Sequence, residues 1–348
     1  MPPTWTAVYR QRMERLVSVA SALVRPLRGI LAADESVATM SARLAAAGVA
    51  PTAANRRAYR EMLVTTPGLS AGISGVILSD ETLRQRLRDG RLFPAALHDL
   101  GILPGIKVDM GTQPLAGASG ETVTEGLDGL GPRLREYFGL GATFTKWRCV
   151  LRIGAGRPAP ITVRANAQAL GRYAVAAQEA GLVPIVEPEI LMDGPHSLAQ
   201  CETVTSLVLL EVFSELRDYG VELAGVVLKP NMVLPGTDAG MTATPADVAE
   251  ATLNALTGVP VSTAGIAFLS GGQRPEHATE NLAAIQRRPH IWPLTFSFGR
   301  ALVDPALAAW RGEPEHWASG QRALARRVSM NAAALGGRYT PELELDPA

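Results

Sequence analysis

Residues 224–233 read Ala-Gly-Val-Val-Leu-Lys-Pro-Asn-Met-Val, an apolar, β-branched run that ends in Lys229 and is stopped by Pro230. Such a run reads as a buried parallel strand with charge at its carboxyl end. A lysine held between an apolar strand and a proline turn is poorly solvated, which disfavours its ammonium form and frees the amine to attack a ketone. The chemistry implied is a Schiff base. The same pattern of apolar run followed by a polar residue recurs at Asp34, Lys107, Lys146, Glu187 with Glu189, Ser270 and Arg300. In residues 144–151 the alternation of a strand sets Lys146 and Arg148 on one face.

These groups pair sensibly. Lys146 beside Lys229 would lower the proton affinity of the latter by like-charge repulsion, and Glu187 would shuttle protons as a carbinolamine forms and dehydrates. The Ser270-Gly271-Gly272 turn lets backbone N–H groups approach an anion closely, although an ordinary strand-to-helix turn has the same residues. Arg300, at the end of the last strand, adds a fork-shaped cation and favours a phosphate there. Ser36, Thr39, Arg43 and Lys107 supply a second anion site, with a helix cap and solvated basic residues as the plainer reading of Ser36 and Arg43.

What must position these residues is a set of alternating elements. Helical spacing is expected over residues 3–25, 40–47, 55–64, 81–88, 126–137, 166–180, 197–219 and 245–256, and from about 301 onward. Strands are expected near residues 28–36, 75–78, 103–109, 144–151, 182–189, 224–233, 265–273 and 293–298, with a glycine-rich loop over 111–120. Eight strand-then-helix alternations with polar residues gathered at the strand ends predict a (β/α)8 TIM barrel, with an additional N-terminal helix and a short C-terminal extension. The chain reads as one domain over 1–348, and residues 338–348 lack periodicity and are expected to be a mobile tail.

Composition narrows the function further. The chain has 348 residues, 47% of them hydrophobic, which is enough for a large core. Lysine plus arginine equal aspartate plus glutamate at 33 each, so no global field points to nucleic acid or an anionic membrane. Two cysteines, Cys149 and Cys201, have no disulfide or zinc spacing. The start of the chain lacks a signal-peptide core and no run approaches a membrane span, so a soluble, cytoplasmic protein is expected. His98, His196, His277, His290 and His316 are scattered without ligand spacing, which disfavours a metal-dependent carbon–carbon lyase. No Gly-x-Gly-x-x-Gly turn suggests a dinucleotide.

Seven stretches in order, GILAADES (29–36), GIKVD (105–109), TKWRCVLRI (145–153), LVPIVEPEIL (182–191), VVLKPNMVLPG (226–236), IAFLSGGQ (266–273) and LTFSFGRAL (294–302), resemble class I fructose-1,6-bisphosphate aldolase of the animal and plant type. The resemblance implies a metal-independent lyase with no cofactor, working through a covalent lysine imine on a sugar phosphate. By resemblance, Lys229 forms the imine with the ketose C2 carbonyl and Glu187 is its acid and base. Asp34 takes the C4 hydroxyl proton, Lys146 stabilises developing charge, and Glu189 holds the lysines in place. Ser270, Gly271, Gly272 and Arg300 look like the C1-phosphate site, and Ser36, Thr39, Lys107, Arg43 and Arg148 the C6-phosphate side. The family also implies a homo-oligomer, a tetramer in its usual form. Two departures stand out: Met110 replaces a lysine common after GIKVD, and the chain stops soon after Tyr339 without the long tyrosine-ended tail of animal members. The alternatives are a related Schiff-base aldolase preferring sedoheptulose 1,7-bisphosphate or fructose 1-phosphate, which relative kcat/KM values separate, and a non-catalytic scaffold on the same fold, against which the retention of Asp34, Lys146, Glu187 and Lys229 argues.

Overall fold

The structure is a computed structural model that describes residues 5–345, with side chains described from residue 10. In chain order it contains α1 (Trp5–Leu23), β1 (Gly29–Ala33), α2 (Val37–Ala46), α3 (Ala53–Val64), β2 (Ile73–Leu78), α4 (Asp80–Arg84), α5 (Phe93–Asp99) and β3 (Leu103–Lys107). There follow β4 (Thr112–Pro114), β5 (Thr122–Thr124), α6 (Leu130–Gly139), β6 (Phe144–Leu151), α7 (Pro160–Glu179), β7 (Val183–Ile190) and α8 (Leu198–Asp218). The last elements are β8 (Val227–Leu228), α9 (Pro245–Ala255), β9 (Gly265–Phe268), α10 (Pro275–Gln286), β10 (Leu294–Phe298), α11 (Arg300–Trp310) and α12 (Trp317–Leu335).

Eight of the strands close into a barrel in the order β1-β10-β9-β8-β7-β6-β3-β2, and every pairing around it is parallel. This is the (β/α)8 architecture that the strand and helix alternation implied. The interior is tight enough to select residue size. A Cβ on Gly29 would sit 2.3 Å from the Phe296 ring, and one on Gly105 would sit 2.2 Å from Phe144, so only glycine lets these rings lie across the floor. Below them α1 plugs the amino-terminal end. Its Leu16, Ala20 and Leu23, spaced to share one helical face, pack with Ile30, Phe144, Val183 and Val227 into one buried cluster.

Several elements differ from the sequence expectation. Helix α4 ends at Arg84 because the chain turns into an Arg86↔Leu92 bridge before the short α5. The glycine-rich loop after Met110 is carried on a hairpin, in which β4 and β5 pair with Thr112 opposite Thr124. Helix α6 starts only at Leu130, since Gly126 and Gly129 have φ of 127° and 64° and stand outside any helix. Helices α10 and α12, which sequence spacing did not single out, complete the outer ring.

Beyond Gly337, the stretch expected to be a mobile tail makes specific contacts as far as the structure describes it. Tyr339 is 1% exposed, a 3₁₀ turn spans Pro341–Glu344, and both Glu344 carboxylate oxygens accept from buried Arg327, at 2.8 and 2.7 Å. Residues 346–348 and the opening residues 1–4 lie outside the described part. Among the described residues no helix is long and apolar enough to cross a membrane.

Candidate active site

The carboxyl ends of the barrel strands surround a cavity of about 630 Å3. It is lined by Asp34, Ser36, Thr39, Arg43, Lys107, Lys146, Arg148, Glu187, Glu189, Lys229, Ser270, Gly271 and Arg300. Thus every residue singled out from sequence lines one chamber except Gly272, which stands just behind, with the Arg300 Nη2 3.2 Å from where its Cβ would be. Period-two alternation is what brings them together. On β7 both Glu187 and Glu189 face the chamber, and on β6 Lys146 and Arg148 do the same across the register Arg148↔Glu187.

Four buried charges form a chain of alternating sign across the floor. Asp34 Oδ2 lies 2.6 Å from Lys146 Nζ, Lys146 Nζ lies 3.2 Å from Glu187 Oε2, and Glu187 Oε1 lies 3.0 Å from Lys229 Nζ. Each of the four is at least nine-tenths buried. Burial alone would push the Asp34 carboxyl up, but Lys146, then Lys229, outweigh it and hold it at about 2. For Glu187 burial likewise opposes ionisation, and Lys146, Lys229 and Arg148 together keep the group below the usual carboxylate range. Burial works against the Lys146 ammonium, yet Asp34 and Glu187 raise its proton affinity above that of a free lysine. The arrangement differs from the simple lysine pair expected from sequence, because Glu187 bridges Lys146 and Lys229 and mixes attraction with the repulsion.

The two ends of the chamber are cationic. At one end Ser270 is buried, and Gly271 and Gly272 have φ of 59° and 90°, a left-handed turn that a side chain would strain. Arg300 opens α11 beside this turn and pairs with no carboxylate among the described residues. At the other end Lys107 pairs with Asp109 at 2.5 Å, and Arg43 is engaged by Glu35 and Asp304. Ser36 is the N-cap of α2, its Oγ accepting from Thr39 N at 3.2 Å, and the residue also borders the chamber.

One expected contact takes a different form. Glu189 does not touch Lys146 or Lys229 but pairs with Arg148, because β7 and β6 are in register and Arg148 is the nearer cation. Other residues at the site were not singled out from sequence. Asp109, 6% exposed, accepts from Gly111 N and Arg148 N at 3.2 Å each and so braces Lys107 and β6. Ser297 is 1% exposed, and its hydroxyl borders the chamber with no partner among the described residues. A hydroxyl inside the apolar run Leu-Thr-Phe-Ser-Phe was the available signal. Among the described residues no group of His, Cys, Asp and Glu is arranged to hold a metal ion.

A buried lysine in contact with a carboxylate, between two ends that carry cationic side chains, suits imine chemistry on a doubly phosphorylated ketose. Comparison with known proteins agrees. Residues 15–347 match the model of the family described as fructose-bisphosphate aldolase class-I. Fructose-bisphosphate aldolase 5, cytosolic, of Arabidopsis thaliana is 48% identical over 330 residues, covering 94% of this chain and 92% of its own. The probable fructose-bisphosphate aldolase class 1 of Xanthomonas campestris pv. campestris is 47% identical over 94% of this chain and 99% of its own. The fructose-bisphosphate aldolase of Plasmodium falciparum, solved with TRAP and a small-molecule inhibitor, superposes with a TM-score of 0.93 at 44% identity, covering 95% of this chain and 96% of that one. With strands, chamber and sequence all in agreement along nearly its whole length, the chain belongs to the class I fructose-bisphosphate aldolase family.

Proposed function

We propose that the chain cleaves fructose 1,6-bisphosphate reversibly into dihydroxyacetone phosphate and glyceraldehyde 3-phosphate through an imine on Lys229. The observation that carries this reading is the buried chain Asp34–Lys146–Glu187–Lys229 at the strand ends. Glu187, 3.0 Å from Lys229, takes the proton that the Lys229 nitrogen gives up as its amine adds to C2, and returns it to the carbinolamine oxygen, which leaves as water. Asp34 then takes the C4 hydroxyl proton. As the C4 carbonyl forms, the C3–C4 bond breaks and its electron pair moves through C3 and C2 onto the iminium nitrogen. That nitrogen is the electron sink, so the step needs no metal and no cofactor. The Lys146 ammonium stands between the two carboxylates and stabilises the negative charge that develops on C4 oxygen.

Ser270, Gly271, Gly272 and Arg300 take the C1 phosphate, and Ser36, Thr39, Arg43, Lys107 and Arg148 face the C6 phosphate. Cationic groups at both ends favour a bisphosphate over fructose 1-phosphate. The relatives' names support a cytoplasmic location. We also infer a homo-oligomer, a tetramer by family resemblance, for which exposed Leu207 and Leu210 on α8 offer apolar surface.

Borohydride reduction in the presence of dihydroxyacetone phosphate and EDTA tests the mechanism. The expected result is a reduced adduct on Lys229 by peptide mass mapping, together with EDTA-resistant cleavage of fructose 1,6-bisphosphate. A folded protein that yields no adduct would overturn the assignment.

A further inference from the structure

Arg60 sits on α3, outside the chamber, and is 0% exposed. Its Nε donates to the Ala33 carbonyl at 3.1 Å and its Nη2 to the Glu35 carbonyl at 2.8 Å. These two carbonyls flank Asp34, which lies one residue beyond the end of β1, where the sheet no longer fixes the backbone. A buried guanidinium is costly unless it is paired. Here the Glu35 carboxylate, 3.5 Å from Nη2, provides the counter-charge. Arg60 is not among the leading influences on the proton affinity of Asp34, which burial, Lys146, Lys229 and Lys107 dominate.

We infer that Arg60 is the positioning residue for Asp34: its planar fork grips the main chain on both sides of the acid and aims the carboxylate at the C4 hydroxyl. The inference rests on the aldol reading above. Lys146 restrains the Asp34 carboxylate from inside the chamber, and Arg60 restrains its backbone from outside. A lysine carries the same charge but lacks the fork geometry needed to reach two carbonyls at once. The Glu35 side chain that faces Arg60 is also held by Arg43, a separate ion pair that Arg60→Lys leaves in place.

The test separates carbon–carbon cleavage, which uses Asp34, from imine formation with dihydroxyacetone phosphate, which does not. In Arg60→Lys, kcat for fructose 1,6-bisphosphate cleavage is expected to fall about 10- to 100-fold, as for a slightly misplaced catalytic group. KM and the rate of borohydride trapping on Lys229 stay near wild type. Adding Arg60→Lys to Asp34→Asn costs nothing further, since the residue acts only through the acid. Unchanged kcat in Arg60→Lys overturns the inference. So does a parallel loss of trapping and cleavage, which marks a general folding role, or a full additional loss in the double variant. If Arg60→Lys is too unstable to assay, Arg60→Gln, which keeps one carbonyl donor, carries the same comparison. Wild-type protein that cannot be trapped removes the Schiff-base reading itself, an outcome distinct from any of these.

Discussion

Lys229 Nζ and Glu187 Oε1 lie 3.0 Å apart, and both residues are buried at the floor of the chamber. A proton can pass between amine, carbinolamine and carboxylate there without crossing bulk water. Glu187→Gln keeps the shape but removes the base, so imine formation with dihydroxyacetone phosphate is expected to slow about 10²- to 10⁴-fold. Rapid-quench borohydride trapping measures this directly. A trapping rate within a factor of about three of wild type would assign the proton transfer to another group.

Replacing the nucleophile has a sharper outcome. Lys229→Met should show no adduct and lose cleavage by roughly 10⁴-fold or more, in line with removal of a covalent catalyst. Substantial turnover in this variant, measured with a coupled assay, would mean that a different amine carries the imine.

Acid tests the electrostatics of Asp34. Its ordinary value of 3.8 is lowered to about 2 in the folded state, so the ionised form contributes stability that is fully present above pH 3.8 and is lost as pH falls toward 2. Wild type should therefore lose stability relative to Asp34→Asn between about pH 4 and pH 2, and hold a constant difference from pH 5 to 7. Urea unfolding at a series of pH values reads the difference. A wild-type advantage that erodes already at pH 6 would mean that another group governs it.

The two cationic ends should separate by substrate. Arg300→Ala is expected to raise KM about 10- to 100-fold for both fructose 1,6-bisphosphate and fructose 1-phosphate, since both carry the C1 phosphate. Lys107→Met should penalise only the bisphosphate. Equal penalties for both sugars in Lys107→Met would displace the C6 phosphate from that end.

The contacts after Gly337 have a stability consequence. Glu344→Ala leaves the Arg327 guanidinium, 3% exposed, without its carboxylate. A loss of about 1–3 kcal/mol follows from a buried charge-assisted hydrogen bond left unmade. Denaturant unfolding checks it, with kcat expected to stay at the wild-type value. An unchanged unfolding midpoint would show that the segment contributes nothing.

The strand-end groups were legible because two local rules coincide on them. Period-two alternation placed Lys146 with Arg148, and the end of each apolar run located the rim, Glu187 and Glu189 included. Local rules do not report which cation a carboxylate meets across strands, so Glu189 was assigned to the lysines although register brings it to Arg148. Nor do they report reach. Arg60 sits in Asn-Arg-Arg-Ala-Tyr-Arg, which reads as an ordinary basic helix face, and only the packing of α3 behind β1 shows that its guanidinium ends at two carbonyls. Ser297 was hidden between two phenylalanines. The segment after Gly337 offered no periodicity, because it is held by single contacts from Tyr339 and Glu344 and not by a repeating face.

The plug that α1 forms beneath Phe144 and Phe296 fills the barrel's amino-terminal end with apolar side chains. Leu16, Leu23, Ile30 and Phe144 are each no more than 1% exposed, so packed apolar side chains close the lower end of the barrel. On the proposed imine reading, the water expelled when the imine forms and the water that later splits it use the same mouth as the sugar. On that reading the sugar, both three-carbon products and the water of imine hydrolysis share the mouth at the carboxyl ends of the strands, and none reaches Lys229 from beneath.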